Sequence, residues 1–286
     1  MPPSRFLPAG FASTRTIAVL AGKGIYPQLT IDRLRSTQIP VKLVAFENET
    51  DPALAASFPS TDRVWIKVGQ LGHLLAALKR FNAAYSIMAG QITPRRLFNG
   101  LVPDLKAVLI LASLKEKNAA TIFGALAREM LNIGTTPLDA RAFLDDQLAT
   151  TGYMTNHRRR IPHETLAHGA RIAREIARLD IGQGVVVSNG TTLAVEAFEG
   201  TDKMLKRCAA LGAKESLFVK TVKPAQDYRF DVPCFGLNTL ESMVEGGIRH
   251  AALDADRVLI LEKEKVIERA QHLNISLFGY THPDSP

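Results

Sequence analysis

The chain has few of the residues that define several classes of protein. Only two of its 286 residues are cysteines, Cys208 and Cys234, too few for a disulfide framework or a structural zinc site. No apolar run reaches the roughly 18–20 residues that a membrane-spanning helix needs. Aromatic residues make up 7% of the chain, and no nucleic-acid-binding motif accompanies them. We therefore expect a protein of the reducing cytoplasm that has no nucleic acid partner.

The remaining composition is that of a folded protein with excess positive charge. Hydrophobic residues make up 46% and charged residues 22% of the chain, which is typical of a globular protein. The net charge of +7 predicts an anionic partner, either a phosphate-bearing ligand or an anionic membrane surface. The basic run Arg158–Arg160 fits a solvated linker or a contact with such an anion, and the sequence does not decide between them.

Short β-rich runs alternate with amphipathic helices in the first half of the chain. The predicted strands lie at 16–20, 41–46, 64–68 and 86–90, and the predicted helices at 26–37 and 71–81. This alternation is typical of an α/β protein with a doubly wound parallel sheet. We expect a Rossmann-like N-terminal domain and a mixed α/β C-terminal domain. The expected limits are a leader at 1–13, a nucleotide-binding domain at 14–150, a linker at 151–163 and a catalytic domain at 164–286.

Two glycine turns follow predicted strands of the N-terminal domain. The first is Gly22, Lys23 and Gly24, and the second is Gly90 and Gln91. Ligands of such sheets bind at the carboxyl ends of the strands, and a glycine turn before a helix favours an anion. The first turn matches neither the dinucleotide fingerprint nor the P-loop. A phosphate site and a bare turn are therefore equal alternatives here.

The stretch from Asp180 to Gly236 concentrates charged and amide side chains between short apolar runs. Its carboxylates are oxygen donors of the kind that Mg²⁺ or Mn²⁺ selects; they are Glu196, Glu199, Asp202, Asp227 and Asp231. Helix capping is the alternative for Glu199 and Asp202, and Glu196 falls in a predicted hairpin strand that favours a structural role. The cations Lys220, Lys223 and Arg229 could neutralise a diphosphate.

These residues also carry a family resemblance. Its motifs lie at 179–184, 194–197, 199–202 and 223–236 in the second half of the chain, and at 21–27 and 89–94 in the first. In order and spacing the chain resembles the LpxI-type UDP-2,3-diacylglucosamine diphosphatases from about Thr16 to Gly279. Two positions depart from the family pattern: Lys23 replaces the middle glycine of the first turn, and Cys234 stands where threonine is usual.

The resemblance implies a reaction and a cofactor. The reaction is hydrolysis of UDP-2,3-diacylglucosamine to UMP and 2,3-diacylglucosamine 1-phosphate in lipid A biosynthesis, with Mg²⁺ as cofactor. Mn²⁺ is an alternative that follows from the carboxylate chemistry and not from the resemblance. Asp231 matches the family's essential aspartate, so we expect it to bind the metal or to orient the attacking water. Assigning Glu199 and Asp202 to the metal is an inference from their chemistry alone.

The resemblance and the local chemistry together give the expected substrate contacts. Those for the diphosphate are Thr201, Lys223, Gln226 and Arg229, and those for the nucleotide and its phosphates are Gly22, Lys23, Gly24, Gly90 and Gln91. Because the substrate carries two acyl chains, we expect peripheral association with the cytoplasmic face of the inner membrane. The sequence leaves three questions unanswered: whether the protein forms a homo-oligomer, whether it is instead a glycosyltransferase, and whether it is a non-catalytic lipid or nucleotide carrier.

Overall fold

A computed structural model describes residues 4–92, 103–114, 116, 119–156 and 160–281. The chain divides into two compact units, and each unit has a β-sheet of its own. Unit 1 consists of residues 1–145 with the short segment Tyr228–Asp231, and unit 2 consists of residues 146–227 and 232–286. The limits at residues 150 and 163 that we expected for the two domains stay predictions.

Unit 1 is built on a parallel five-stranded sheet. Its strands are β1 (Ile17–Ala21), β2 (Val41–Phe46), β3 (Arg63–Ile66), β4 (Tyr85–Ala89) and β5 (Thr136–Pro137). They lie in the order β3-β2-β1-β4-β5, with every neighbouring pair parallel. This confirms the predicted parallel sheet. The strand order reverses between β1 and β4, the place where open α/β sheets bind their ligands.

The helices of unit 1 are α1 (Tyr26–Ser36), α2 (Pro52–Ala56), α3 (Leu71–Arg80), α4 (Leu105–Ser113) and α5 (Ala119–Asn132). Of these, α1, α3 and α5 pack against strands of the sheet, whereas α4 packs against α3 and α5. Every residue of β1 is buried, and Leu74 and Leu78 of α3 join the same core as Leu20. Part of the expected leader is attached to the sheet of unit 1, because Ala12 N donates to the Tyr85 hydroxyl at 3.0 Å. The sequence therefore predicted the layers of this unit correctly from periodicity.

Unit 2 contains a mixed six-stranded sheet and a small parallel pair. The large sheet has the order β6-β13-β11-β9-β7-β8; its strands are β6 (Gly152–Tyr153), β7 (Gly184–Ser188), β8 (Thr191–Val195), β9 (Leu217–Lys220), β11 (His250–Asp254) and β13 (Ser276–Tyr280). The parallel pair is β10 (Cys234–Phe235) with β12 (Leu259–Ile260). Strands β13, β11 and β9 are parallel to one another, whereas β6, β7 and β8 pair antiparallel. The predicted mixed α/β class is confirmed.

Local turn chemistry explains the hairpin of unit 2 but not the start of one helix. Asn189 and Gly190 join β7 to β8 with φ values of 47° and 76°, as a type I′ turn requires. The helices of this unit are α6 (His163–Arg178), α7 (Thr201–Arg207), α8 (Leu237–Gly246) and α9 (Lys263–His272). Helix α8 begins without a side-chain cap, because its N-cap residue is Gly236.

Within the described residues, no helix is both long and apolar enough to span a membrane.

Two helical glycines offer a matched test of packing. A Cβ on Gly169 of α6 would lie 2.7 Å from Val219 Cγ2 and 3.0 Å from Val187 Cγ2, whereas one on Gly124 of α5 would meet nothing within 4 Å. Gly169→Leu should lower the free energy of unfolding by about 1–3 kcal/mol through overpacking. Gly124→Leu should raise it slightly, because leucine has the better helix propensity. Urea unfolding measures both, and equal effects would contradict this packing.

Candidate functional site

The two glycine turns of unit 1 are hydrogen-bonded to each other at the point where the strand order reverses. Gly22 N donates to Ala89 O at 2.8 Å, and Lys23 N donates to Gln91 O at 2.8 Å. Gln91 N returns a bond to Lys23 O at 3.1 Å. The turns that follow β1 and β4 are therefore one paired element, which brings together all five residues predicted to contact the nucleotide and its phosphates.

Glycine is required at this contact for steric reasons. A Cβ on Gly22 would lie 2.6 Å from Gln91 O, and a Cβ on Gly90 would lie 2.5 Å from Lys23 O. Gly90 also has a φ of 87°, and Gly24 has a φ of 90° with open space around it, a conformation that residues with a Cβ rarely adopt. Gly24, Gly90 and Gln91 are exposed, so a ligand can approach their backbone closely.

Lys23 adds a positive charge to the paired turns. Its Nζ lies 3.5 Å from Glu49 Oε2; the lysine side chain is about half exposed, and the glutamate side chain is fully buried. Glu49 follows β2, the strand that lies beside β1. Glu49 was not among the site residues predicted from the sequence, although its position just beyond a buried strand was a usable signal. The ion pair keeps the Lys23 ammonium close to the glycine turns.

The segment that carries Arg229 and Asp231 belongs to unit 1 and is anchored there by its aromatic residues. Tyr228 O accepts a hydrogen bond from Ala140 N at 2.8 Å. The Phe230 ring stacks on Phe123 with 5.0 Å between centroids. Asp231 and Arg229, both half-buried, flank the stacked Phe230.

The backbone N–H and C=O groups of Ala140 link this segment to the start of α1. The Tyr26 hydroxyl donates to Ala140 O at 2.5 Å, while the amide of the same residue holds Tyr228. The guanidinium of Arg141 lies 3.3 Å from the centroid of the Tyr228 ring and forms a two-point ion pair with Asp139. Because Tyr26 begins α1 directly after the first glycine turn, Asp231 and Gly24 lie in one connected part of unit 1.

In unit 2, the predicted substrate residue Thr201 lies between two charged side chains. Lys220 Nζ donates to Thr201 Oγ1 at 3.0 Å, and Thr201 Oγ1 donates to Glu196 Oε1 at 2.5 Å. Lys220 Nζ is 3.7 Å from Glu196 Oε2, and the two side chains are only 7% and 14% exposed. A lysine and a glutamate that are so little exposed must compensate each other's charge. The sequence did not predict this contact of Glu196.

The glycines of the motif Asp180–Gly184 make room for Glu196. A Cβ on Gly182 would lie 2.1 Å from Glu196 O, and a Cβ on Gly184 would lie 2.7 Å from Glu196 Oε2. Glu196 N also donates to Gly184 O at 2.8 Å. The two glycines therefore leave the space that is occupied by the backbone and the carboxylate of Glu196, which holds Thr201.

The other predicted diphosphate contacts of unit 2 form a second group beside the same motif. Lys223 makes an ion pair with Asp180. Gln226 Oε1 accepts from Lys223 N and from Gln183 Nε2, each at 3.1 Å. The side-chain amide of Gln226 therefore closes the turn on which Lys223 lies.

The three predicted metal ligands do not form a ready-made ligand set. Glu199 Oε1 accepts from Arg207 Nε at 3.1 Å, Asp202 is an exposed residue in the first turn of α7, and Asp231 belongs to unit 1. Across the described residues, no three histidine, cysteine or carboxylate side chains gather as metal ligands. Mg²⁺ commonly takes one or two carboxylates and completes its shell with phosphate oxygens and water. The oxygen donors fit such an ion, and metal binding stays a prediction.

Comparison with known proteins identifies the family. The model of the LpxI N-terminal domain matches residues 16–147, and that of the LpxI C-terminal domain matches residues 150–278. The chain is also 31% identical over 289 residues to a Caulobacter vibrioides protein named UDP-2,3-diacylglucosamine pyrophosphatase LpxI; the match covers 95% of this chain and 100% of that protein. The chain belongs to the LpxI family. The resemblance drawn from the motifs is confirmed.

The two departures from the LpxI pattern have distinct surroundings. Lys23 forms the contact with Glu49 described above. Cys234 lies in β10, where its Sγ donates to Val232 O at 3.2 Å. The thiol thus makes a local backbone contact, although it is a weaker donor than the hydroxyl of the usual threonine.

A double-mutant cycle tests the Lys220–Glu196 contact. Lys220→Met and Glu196→Gln should each destabilise the protein, because each leaves a largely buried charge without its partner. The double variant should lose less than the sum, with a coupling energy of about 1–3 kcal/mol in urea unfolding. The control is the exposed pair Lys206–Glu245, at 3.0 Å, which should couple by about 0–1 kcal/mol. Equal coupling in the two cycles would contradict the account.

Proposed function

We propose that the chain hydrolyses the diphosphate of UDP-2,3-diacylglucosamine to UMP and 2,3-diacylglucosamine 1-phosphate, as an enzyme of lipid A biosynthesis. The observation that carries the proposal is the match, over 95% of this chain, to a protein named for a pyrophosphatase activity on this substrate. The chemistry of the motif residues agrees with it, since they offer cations, hydroxyl and amide groups and carboxylates suited to phosphoryl transfer.

In unit 1, the paired glycine turns suit the nucleotide and its phosphates. The exposed residues Gly24 and Gly90 lie at the reversal of the strand order, and α1 begins two residues after Gly24. Backbone amides and the positive end of a helix dipole favour phosphate at such a place. The half-exposed ammonium of Lys23 adds a full charge, which supports binding of a diphosphate rather than of a neutral ligand.

In unit 2, Thr201 and Lys220 suit a negatively charged reaction centre. Lys220 is held in a nearly buried position, where low solvent screening strengthens its attraction for phosphate oxygens. Thr201 is oriented by its bonds to Lys220 and Glu196, so it is pre-positioned and does not lose side-chain freedom when substrate binds. Lys223 and Gln226 add a cation and an amide on a closed turn.

Asp231 is proposed to orient the attacking water or to ligate Mg²⁺ through its carboxylate. Its neighbour Phe230 is fixed by stacking on Phe123, which limits the positions that the carboxylate can take. When bound, Mg²⁺ would neutralise charge on the diphosphate oxygens. Glu199 is held by Arg207, so of the two other proposed ligands Asp202 is the more accessible.

The decisive variant is Asp231→Asn. It keeps the size of the side chain and removes its charge, so UMP release should fall by about 100-fold or more, as expected for the loss of a general base or a metal ligand. The control is Asp32→Asn, which changes an exposed aspartate of α1 that bonds to Gln28 and should keep the wild-type rate. Full activity of Asp231→Asn would refute its catalytic role. In the same assay EDTA should abolish activity and added Mg²⁺ should restore it.

We also propose peripheral association with the inner membrane, through the exposed apolar face of α4. Leu105, Val108 and Leu109 are 75%, 48% and 60% exposed, and spacings of three and four residues place them on one side of the helix. Apolar side chains of this kind insert at a lipid interface, and the net charge of +7 adds attraction to anionic lipid. Arg158 and Arg159 lie outside the described residues.

Vesicle flotation tests this face. The variant Leu109→Glu should weaken binding to vesicles that contain phosphatidylglycerol, because it places a charge in the inserted face. The matched control is Leu179→Glu, at a leucine of similar exposure, 57%, at the end of α6. High salt should weaken the binding of all variants. Equal loss in Leu109→Glu and Leu179→Glu, or no binding of the wild type at low salt, would contradict the proposal.

A further inference from the structure

A buried carboxyl group lies at the carboxyl edge of the sheet of unit 2, outside all the motifs above. Asp254 is the last residue of β11 and is 1% exposed. It lies opposite Tyr280 at the end of β13, and the neighbouring strand β9 ends at Lys220. The three strands are parallel, so the group lies at the edge where such sheets bind ligands. Burying a carboxyl group there carries a cost that needs a specific compensation.

The carboxyl group of Asp254 is bonded to the chain directly after β9. Thr221 Oγ1 donates to Asp254 Oδ2 at 3.3 Å, and the backbone N–H of Val222 donates to the same carboxyl group. The next residue is Lys223, whose own N–H holds Gln226 Oε1. The Asp254 side chain therefore holds Thr221 and Val222. These are the two residues directly before the turn that carries Lys223 and Gln226, both predicted to contact the diphosphate.

The other oxygen of Asp254 is less well satisfied. Among the described residues no donor hydrogen-bonds to its Oδ1, and the nearest cation, Arg257 Nε, lies 3.9 Å away. The charged or titratable groups that act on the carboxyl group are Arg257, Arg174 of α6 and Tyr280 of β13. The Tyr280 hydroxyl donates to Lys220 O at 3.4 Å. Asp254 and Tyr280 therefore both contact the chain at the end of β9, Asp254 through Thr221 and Tyr280 through Lys220.

We propose that Asp254 is a positioning residue, which as a carboxylate holds Thr221 and Val222 and thereby fixes the turn that presents Lys223 and Gln226. The role of Lys223 and Gln226 as substrate contacts rests on the proposed function. The anchoring of Thr221 and Val222 by Asp254 does not. A carboxylate is the better acceptor for two donors, because hydrogen bonds to an ionised acceptor are about twice as strong as neutral ones. Protonation of Asp254 should loosen the turn.

The titration of Asp254 falls in an accessible range of pH. Burial raises the pKa of Asp254 to about 6, against the lowering effect of Arg257 and of the bond from Thr221. Because the folded pKa lies above the ordinary value of 3.8, the ionised form costs stability, and this cost appears as pH rises from about 4 to above 6. Asp254→Asn should therefore gain thermal stability relative to wild type as pH rises, while its turn is held less well. If the carboxylate had a purely structural role, thermal stability and the order of the turn would not change in opposite directions as pH rises.

The kinetic test compares wild type with Asp254→Asn from pH 5 to pH 8. At pH 5 the wild-type side chain is mostly protonated and at pH 8 it is mostly the carboxylate, whereas the side chain of the variant is uncharged throughout. The ratio of kcat/KM for UMP release, wild type over variant, should rise about fivefold or more with a midpoint near pH 6, mainly through KM. Asp256→Asn, at an exposed position two residues away, should give a flat ratio. A flat ratio for Asp254→Asn as well would overturn the proposal.

A second measurement separates this proposal from the proposed function. In hydrogen exchange of the full-length protein, the Val222 amide should exchange on the order of tenfold faster in Asp254→Ala than in wild type, after correction for intrinsic rates, because it loses a bond to a charged acceptor. Asp254→Asn should restore part of the protection. Unchanged exchange overturns the proposal whatever the activity. If exchange responds and wild type releases no UMP, the proposed function fails and the anchoring stands.

Discussion

The contact on which much of unit 2 depends is the close approach of Glu196 to a glycine motif. Without side chains at Gly182 and Gly184, the backbone and carboxylate of Glu196 fit against the start of β7. That carboxylate then orients Thr201, and Thr201 shares Lys220 with it. The close packing at the two glycines therefore also determines where the charge of Lys220 can lie, because a nearly buried lysine is tolerated only beside this carboxylate.

Unit 1 uses glycine in the same way at a different sheet. Gly22 and Gly90 let two turns approach until their backbones hydrogen-bond, and the paired turns lie at the reversal of the strand order. Both units therefore use the absence of Cβ atoms to bring polar backbone to the carboxyl edge of a sheet. In unit 2 this edge also carries the buried Asp254, whose carboxyl group accepts a hydrogen bond from Thr221, two residues before Lys223.

The elements were largely predictable from the sequence, because each depends on local pattern. Alternating apolar runs predicted β1 to β4, and Asn189-Gly190 predicted the hairpin through its positive φ values. The charged contacts were not predictable, because they join residues far apart in sequence. Glu196 was interpreted as a structural strand residue, and its role beside Lys220 follows from strand pairing that no local pattern encodes. Asp254 closes an apolar run, and only the order of strands shows what it holds. The roles of Asp231, Glu199 and Asp202 remain predictions.

We propose that this LpxI-family chain cleaves within the diphosphate of its nucleotide substrate. The proposal is tested by chromatography of the products from UDP-2,3-diacylglucosamine, with purified protein and Mg²⁺. We expect UMP and 2,3-diacylglucosamine 1-phosphate in equal amounts, with no added sugar acceptor. Release of UDP that depends on an acceptor, or binding of the substrate without turnover, would contradict it.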